Sequence, residues 1–465
     1  MIAKVRYHLT FLPDNGSLFG LSCASILAFI AYLSWMKSAF TPVHWCLNTN
    51  VYEVNLRQYT TQGTFEAFRF HLPRLADMGV GVLWFMPLTP ISEKNRKGSM
   101  GSYYACSSYT TVNPEYGTMA EFRELVQEAQ QLGMKIIIDW VANHTGCDHH
   151  WTIEHPEFYK KDQHGDFFDA HGWDDVIDLD YENPHLRREM IRSMRHWLGE
   201  AGIDGFRCDM AMLTPVDFWM EARQALEQDR HLFWLAELDP LDNPDYMQVF
   251  DAAYTWRWMN ATKAFRQEGS RQIHHLRYVL GQYSDLLPST ACPAWFTSNH
   301  DENSWNGTEY EKYGEMAIPL AVFSATYKGI SLMYSGQEIP NRKRLQFFDR
   351  DPIDWQKTPG LHAFYRSILQ LRIKYAAFTT APERANLVHL LNSVDHHVLS
   401  FKRQHDDSTA IVLINFSAYP LHNIEVDLEG LTGTIVEHFT SLAHECSGQS
   451  HYFHLQPWSY QIWLQ

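Results

Sequence analysis

The sequence is 465 residues long, with 45% apolar and 20% charged residues, a composition that is typical of a globular protein and excludes a disordered chain. A formal net charge of -16, without any Lys/Arg-rich run, argues against nucleic acid as a partner, since nucleic-acid binding usually needs a basic surface. The seven cysteines form no CxxC pair, so the sequence predicts neither a metal–thiolate site nor a dense disulfide framework.

The N-terminal segment 1–40 contains a charge-free apolar run from Leu18 to Met36. A run of this length can span a bilayer or act as an export signal. We expect an exported, periplasmic or membrane-anchored protein, with membrane association through residues 18–36. The alternative is a cytoplasmic protein whose translation starts at Met36. In both cases the segment is left out of the fold prediction.

From Thr41 onward, strand-like and helix-like segments alternate, which is the pattern of a parallel α/β fold. Strand-length apolar runs begin at eight positions: Val51, Val80, Lys135, Ile203, Leu232, Val249, Ala294 and Ile330. The intervals carry apolar residues at helical spacing, as in Met119 to Leu132, and the helix from Pro184 to Leu198 has Asn183 at its N-cap position. Eight such repeats predict a (β/α)8 TIM barrel at residues 41–378.

Two intervals depart from this rhythm. Residues 143–182 form a long interval after the third strand, rich in His, Asp, Trp and Gly, which predicts a short inserted subdomain over the barrel mouth. After a last helix from Leu361 to Tyr375, the pattern changes to short alternating segments. Residues 379–465 are therefore predicted to form a C-terminal antiparallel β-sandwich.

Acidic residues follow four of the predicted strands: Asp139, Asp209, Glu237 and Asp301. Each of them alone is more often a surface or structural residue. Because the C-terminal ends of barrel strands meet at one mouth, we expect the four acids to gather there. Buried carboxylates are costly to desolvate, so a group of them favours a functional interpretation.

Two of these acids have neighbours that predict opposite roles. Arg207 and Asp209 are two residues apart on one strand and face the same way, so Arg207 is expected to lower the pKa of Asp209 and keep it ionised as a nucleophile. A structural ion pair is the alternative. Glu237 follows the apolar run Phe233-Trp-Leu, and an apolar setting raises a carboxyl pKa, as a general acid requires.

Polar donors accompany the acids. His300 precedes Asp301 directly, and His144 follows the third predicted strand. Two carboxylates with different pKa values, together with donors for sugar hydroxyls, are what retaining glycoside cleavage requires.

Four segments resemble the signature regions of the α-amylase family, glycoside hydrolase family 13, in the family's order and usual spacing. They are Asp139-Trp-Val-Ala-Asn-His144, Gly205-Phe-Arg-Cys-Asp209, Ala236-Glu237 and Ser298-Asn-His-Asp301. The resemblance covers the chain roughly from Trp45 to Tyr375 and implies the family's barrel and C-terminal domain.

The resemblance also implies individual roles. Asp209 would be the nucleophile, Glu237 the general acid/base, and Asp301 the carboxylate that stabilises the oxocarbenium-like transition state. Asp139 would be structural. Contacts to the sugar are implied for four further residues: Tyr103 as an aromatic platform, His144, Arg207 and His300.

The family pattern leaves calcium open. Asn143 matches a calcium-ligating position of many members, and Asp178 can add a ligand. However, the Lys-His pair that follows the nucleophile in many calcium-dependent members is replaced by Met210-Ala-Met-Leu213. No organic cofactor is implied. The segment Val176-Ile-Asp-Leu-Asp180 resembles the α-amylase form of the family's fifth region, which favours α-1,4-glucan cleavage.

The leading prediction is a retaining hydrolase of α-1,4-glucosidic bonds in starch, glycogen or maltooligosaccharides. The first alternative is an α-glucan transglycosylase, or a cyclomaltodextrinase- or oligo-1,6-glucosidase-type enzyme of the same family. The second is an inactive, membrane-anchored partner subunit, similar to the heavy chains of amino-acid transporters, which only the apolar N-terminal segment supports. The sequence predicts no oligomeric state.

Overall fold

The structure is a computed structural model that describes residues 40, 42–228, 230–267, 273–288, 291–355, 360–380 and 386–465. The apolar segment 18–36 lies outside the described residues, so the expectations that depend on it remain predictions. Among the helices that are described, none combines the length and the apolar character needed to cross a membrane.

Eight parallel strands close into the predicted barrel. The described residues between 50 and 334 form ten strands: β1 (Asn50–Val54), β2 (Val82–Phe85), β3 (Lys135–Trp140), β4 (His144–Gly146), β5 (Val176–Asp178), β6 (Gly205–Cys208), β7 (Phe233–Ala236), β8 (Ala252–Tyr254), β9 (Cys292–Trp295) and β10 (Ile330–Tyr334). All except β4 and β5 belong to the barrel, in the order β1-β10-β9-β8-β7-β6-β3-β2. Each of the eight predicted strands is therefore present, several of them one to three residues shorter at the N-terminal side.

Helices connect the strands. The described α-helices are Leu56–Tyr59, Phe65–Arg69, Leu72–Met78, Met119–Gln131, Trp151–Glu154, Pro184–Glu200, Val216–Leu226, Trp256–Gln267, His274–Leu286, Glu309–Tyr313, Ala317–Thr326, His362–Leu369 and Leu371–Lys374. The Asn183 side chain accepts a hydrogen bond from the His185 amide, which confirms the predicted N-cap. The predicted last helix is interrupted at Gln370 and ends before Tyr375.

The barrel strands are apolar on both faces, because successive side chains point alternately into the barrel and toward the helices. On β3, for example, Ile137 belongs to the interior cluster, whereas Ile136 and Ile138 pack in the outer cluster with the helices. Two residues after Ile137, the same inward column continues with Asp139. Charged residues thus replace apolar ones at the C-terminal ends of the strands.

The insertion 143–182 folds back on itself over this end of the barrel. Strands β4 and β5 pair antiparallel, with His144 opposite Asp178. This short pair of strands joins the two ends of the insertion, so residues that are far apart in sequence lie close together beside the barrel mouth.

A two-layer sandwich follows the barrel, as predicted. Its strands are β11 (Asn386–His389), β12 (Val398–His405), β13 (Ser408–Asn415), β14 (Leu421–Val426), β15 (Thr432–Glu437), β16 (Ala443–Ser447), β17 (His451–Leu455) and β18 (Tyr460–Leu464). They form a six-stranded antiparallel sheet, β11-β12-β13-β18-β15-β16, and a two-stranded sheet, β14-β17. Ile411 and Leu413 face the sandwich core, whereas Ala410 and Val412 face the barrel, so β13 is apolar throughout.

Strand β6, which leads to the predicted nucleophile, begins at a glycine that tolerates no side chain. A Cβ atom at Gly205 would lie 2.0 Å from the carbonyl oxygen of Phe233, its partner on β7. We expect Gly205→Ala to destabilise the protein by about 3 kcal/mol or more, since the obstacle is backbone rather than a movable side chain. Gly199→Ala is the matched control, because an added Cβ meets nothing within 4 Å there.

In the helix Pro184–Glu200, Gly199→Ala should stabilise the protein by about 0.5–1 kcal/mol. Urea unfolding of both variants measures the two effects. Equal stability of Gly205→Ala and the parent protein would contradict the packing argument.

Candidate active site

Three of the four predicted acids, Asp209, Glu237 and Asp301, line one cavity at the C-terminal end of the barrel. Its volume is about 440 Å³. It is lined by Lys97, Ser102, Tyr104, His144, Trp173, Asp175, Val176, Asp209, Met210, Glu237, Asp301, Trp305, Phe347 and Phe348. Asp209 and Glu237 directly follow β6 and β7, whereas Asp301 lies six residues beyond the end of β9 and precedes the π-helical turn Glu302–Asn306.

Arg207 joins three of the acids from behind the cavity. Its Nη1 donates to Asp209 Oδ1 at 2.9 Å and to Asp139 Oδ1 at 2.8 Å, and its Nη2 lies 2.9 Å from Glu237 Oε2 as an ion pair. The guanidinium also stacks over Trp84, 4.7 Å from the ring centroid. Arg207 is fully buried, so the structure assigns it to the acids rather than to the cavity surface.

Burial has the largest effect on the pKa values of Glu237 and Asp209. It raises the pKa of Glu237 to about 7, although the charge of Arg207 opposes the shift. It likewise raises the pKa of Asp209 to about 6, with Arg207 opposing and Asp139 adding to the rise. Arg207 thus lowers the pKa of Asp209 as predicted, but the net pKa lies above its usual value, because the cost of desolvating the carboxylate exceeds the stabilisation by one shared cation.

A strained residue follows Asp209 and orients Glu237. Met210 has φ 38° and ψ 48°, a left-handed conformation that is uncommon for a residue other than glycine. In this conformation its amide donates to Glu237 Oε2 at 2.9 Å. Such strain is typical of functional sites. The sequence showed no signal of it, since no Gly or Asn marks the turn.

Asp301 stands beside His300. The His300 side chain is 1% exposed, and its Nε2 lies 3.4 Å from Asp301 Oδ2. Burial raises the pKa of Asp301, but the neighbouring imidazole and its hydrogen bond outweigh that effect, so the pKa lies below its usual value. His300 thus contacts a cavity acid without lining the cavity itself.

The aromatic residue beside the acids is Tyr104 and not the predicted Tyr103. Tyr103 is 1% exposed, donates to Asn55 Oδ1 at 3.1 Å and lies under Arg57, away from the cavity. Tyr104 lines the cavity, stacks on His300 at a centroid distance of 5.3 Å, and donates to Asp139 Oδ2 at 3.2 Å. Adjacent residues of an irregular loop point in different directions, and the sequence alone did not distinguish the two.

His144 lines the cavity, and its predicted contact to a sugar stays a prediction. Burial lowers its pKa to about 4, so the ring is neutral near pH 7 and can offer a single N–H donor. Trp173 packs edge-on against it at a centroid distance of 5.5 Å. Trp305 also lines the cavity, packs against Phe347 at a centroid distance of 5.3 Å and remains 52% exposed. Neither tryptophan was predicted from the sequence as a site residue.

The residues near the predicted calcium position do not fit a calcium site. Asn143 and Asp178 do lie together, with Asn143 Nδ2 donating to Asp178 Oδ1 at 3.3 Å. However, Asp178 is fully buried, and its Oδ2 accepts from Lys160 Nζ at 3.1 Å. Asp169, His171 and Asp178 bring ligand atoms within 4.8 Å of one another. Calcium takes six to eight oxygen ligands, whereas an ammonium and an imidazole stand among these carboxylates.

Comparison with known proteins identifies relatives of the whole barrel. The alpha-amylase MalA of Haloarcula japonica is 24% identical over 391 residues, which are 81% of this chain and 56% of that protein. A cyclomaltodextrinase of a Bacillus species is 23% identical over 372 residues, which are 74% of this chain and 64% of that protein. The chain thus spans less than two thirds of the length of either relative.

A solved structure agrees with the fold. The crystal structure of a noncanonic maltogenic alpha-amylase, AmyB, of Thermotoga neapolitana matches with a TM-score of 0.82 and 25% identity, over 90% of this chain and 99% of that one. The family model of the alpha-amylase catalytic domain matches residues 48–175 and 162–359. Because the model matches more than half of the chain, the chain belongs to the alpha-amylase family.

Proposed function

We propose that the protein is a retaining hydrolase that cleaves α-1,4-glucosidic bonds of starch, glycogen or maltooligosaccharides. One observation carries the proposal: the buried guanidinium of Arg207 contacts both Asp209 and Glu237 at the floor of one cavity. Retaining glycosidases hold their two carboxyl groups about 5 Å apart. Two carboxylates that share one guanidinium are compatible with that spacing.

In the proposed double displacement, each of the three cavity acids has its own role. Asp209 attacks the anomeric carbon while Glu237 protonates the glycosidic oxygen, which leaves with its sugar chain. Water then cleaves the glycosyl–Asp209 ester, and Glu237 takes the water proton. Asp301 stabilises the oxocarbenium-like charge in both transition states. Of these two acids, Glu237 has the higher pKa, about 7, which supports its role as the proton donor. Asp209 has the lower of the two values, about 6, which supports its role as the nucleophile.

The cavity walls support a sugar as the substrate. Aromatic rings line the cavity on more than one side of the acids: Tyr104, Trp173, Trp305, Phe347 and Phe348. His144 adds a neutral donor for a hydroxyl group. Flat apolar faces combined with a few polar groups are suited to pyranose rings, whose C–H faces stack while their hydroxyls form hydrogen bonds. In this proposal Tyr104 takes the platform role that the resemblance assigned to Tyr103.

The second candidate is an enzyme that transfers the glycosyl group to another sugar or opens cyclic glucans. The similarity to a cyclomaltodextrinase supports it, and so does the apolar surface of Met210, Trp305 and Phe348 around the acids. Such a surface disfavours water relative to a sugar acceptor. The same three acids would act in both reactions.

Maltoheptaose digestion separates these candidates. We expect the parent protein to produce new reducing ends and shorter chains. Asp209→Asn should fold normally and lose at least about 10³-fold in kcat, because no covalent intermediate can form. Reducing-sugar assays together with chromatography of the products measure both effects. Redistribution of chain lengths without new reducing ends would overturn the hydrolase proposal in favour of transfer.

The acid role of Glu237 predicts a dependence on the leaving group. Glu237→Gln should lose far more activity on starch than on an α-glucosyl substrate with an activated phenol, which needs little protonation to leave. Equal losses on both substrates would refute the assignment. In the parent protein, kcat/KM should fall as the pH rises through about 7, where Glu237 loses its proton, and as the pH falls through about 6, where Asp209 gains one.

We propose that Lys160, rather than a calcium ion, provides the positive charge beside Asp178 in the insertion. Treatment with a chelator should therefore change activity less than about twofold. Lys160→Ala should destabilise the protein by about 2 kcal/mol, because it leaves the buried carboxylate of Asp178 without its cation. Lys161→Ala is the matched control, since Lys161 is exposed and its removal should cost less than about 0.5 kcal/mol. Loss of activity on chelation, restored by calcium, would contradict this.

A further inference from the structure

A further buried carboxylate, that of Glu53, contacts this group of residues, and neither the sequence motifs nor the proposed mechanism uses it. Glu53 lies on β1, two residues after Val51, whose side chain belongs to the interior cluster of the barrel. It occupies the next inward position and is fully buried. Its Oε1 contacts His300 twice, at 2.5 Å from Nδ1 and at 3.2 Å from the amide nitrogen.

The other nitrogen of the His300 ring faces the cavity residues. Nε2 lies 2.6 Å from the Tyr104 hydroxyl oxygen and 3.4 Å from Asp301 Oδ2. The same Tyr104 hydroxyl lies 3.2 Å from Asp139 Oδ2. A hydrogen-bonded chain therefore runs from Glu53 through His300 and Tyr104 to Asp139.

The hydrogen bonds of the His300 ring determine which of its nitrogens carry a proton. Tyr104 has one proton to donate. If it donates to Asp139, it can only accept from His300, so Nε2 must carry a proton. An ionised Glu53 can only accept, so Nδ1 carries a proton as well in the 2.5 Å contact with Glu53 Oε1. With Glu53 and Asp139 ionised, every contact is satisfied when His300 is an imidazolium with both nitrogens donating.

The surrounding charges agree with this count. Burial disfavours the imidazolium, but the charges of Asp301 and Glu53 outweigh it, and the pKa of His300 lies well above its usual value. The titratable and charged groups around the ring come from several elements: Glu53, Tyr104, Asp139, Arg207 and Asp301. Glu53 Oε2 has no hydrogen-bond partner among the described residues. A buried carboxylate oxygen without a hydrogen-bond partner is unusual.

We propose that Glu53 is a positioning residue that keeps His300 doubly protonated, so that His300 holds Asp301 ionised and oriented toward the reacting sugar. The inference deepens the proposed glycosidase function and rests on it. Glu53 does not touch the substrate in this scheme. It acts through His300, whose second N–H stabilises the carboxylate that faces the transition state.

Glu53→Gln tests the proposal, because it removes the charge and keeps the size of the side chain. His300 should then titrate at least about one pH unit lower, as expected when an adjacent opposite charge is lost. The measurement is an NMR titration of histidine-labelled protein, with the His300 signals assigned by their absence in His300→Gln. It requires no substrate, so it decides the coupling even if glucan hydrolysis is not observed, which would count against the proposed function alone.

Kinetics supply the second measurement. Glu53→Gln should lower kcat about tenfold to hundredfold, as expected for one charge-assisted hydrogen bond, with KM changed less than about threefold. In Glu53→Gln, kcat/KM should show a loss at the pH where the His300 signals of the variant titrate, in addition to the alkaline limb that Glu237 sets. Glu53→Asp retains the charge and should keep the parent's alkaline limb even if kcat falls.

Glu338→Gln is the matched control. Glu338 is also fully buried at this end of the barrel, but it pairs with Arg74 and Tyr52. Its variant should leave the His300 titration and the pH profile unchanged. An unchanged His300 titration in Glu53→Gln would overturn the proposal. So would equal kinetic losses in Glu53→Gln and Glu53→Asp with both limbs at the parent's pH, since that pattern indicates a structural role alone.

Discussion

The active site depends on one buried cation that several carboxylates share. Removing an ionised carboxylate from water is costly unless a counter-charge or hydrogen bonds replace the solvent. Here Arg207 contacts Asp139, Asp209 and Glu237 at once. The cost of burying three carboxylates exceeds the stabilisation that one positive charge supplies, so burial raises the pKa values of all three acids. Proton retention on Glu237 is what an acid catalyst needs.

A second ionic centre lies beside the first. His300 stands between Glu53 and Asp301, and Tyr104 links it to Asp139, which also contacts Arg207. The two centres have opposite effects on their acids. Burial dominates for Asp209 and raises its pKa, whereas the imidazole dominates for Asp301 and lowers it. One barrel mouth thereby provides carboxyl groups with different affinities for protons.

The barrel and the insertion determine where these two centres lie. On the barrel strands every second side chain points into the barrel. A charged inward residue therefore follows an apolar inward residue two positions earlier, as Asp139 follows Ile137. Gly205 allows β6 to approach β7 closely enough for both to carry their acids to the same floor. The insertion completes the wall with His144 and Trp173, and Lys160 neutralises the buried Asp178 beneath it.

The sequence by itself determined the eight strands, the insertion, the sandwich and the three cavity acids. These follow from local periodicity and from the place of each acid at or after a strand, and parallel strands bring such places together whatever the loops do. Tertiary structure alone decided the rest: Tyr104 instead of Tyr103, the raised pKa of Asp209, Lys160 beside Asp178 and the contact between Glu53 and His300. Each depends on burial or on contacts between distant segments, and neither quantity is encoded in the spacing of residues along one strand.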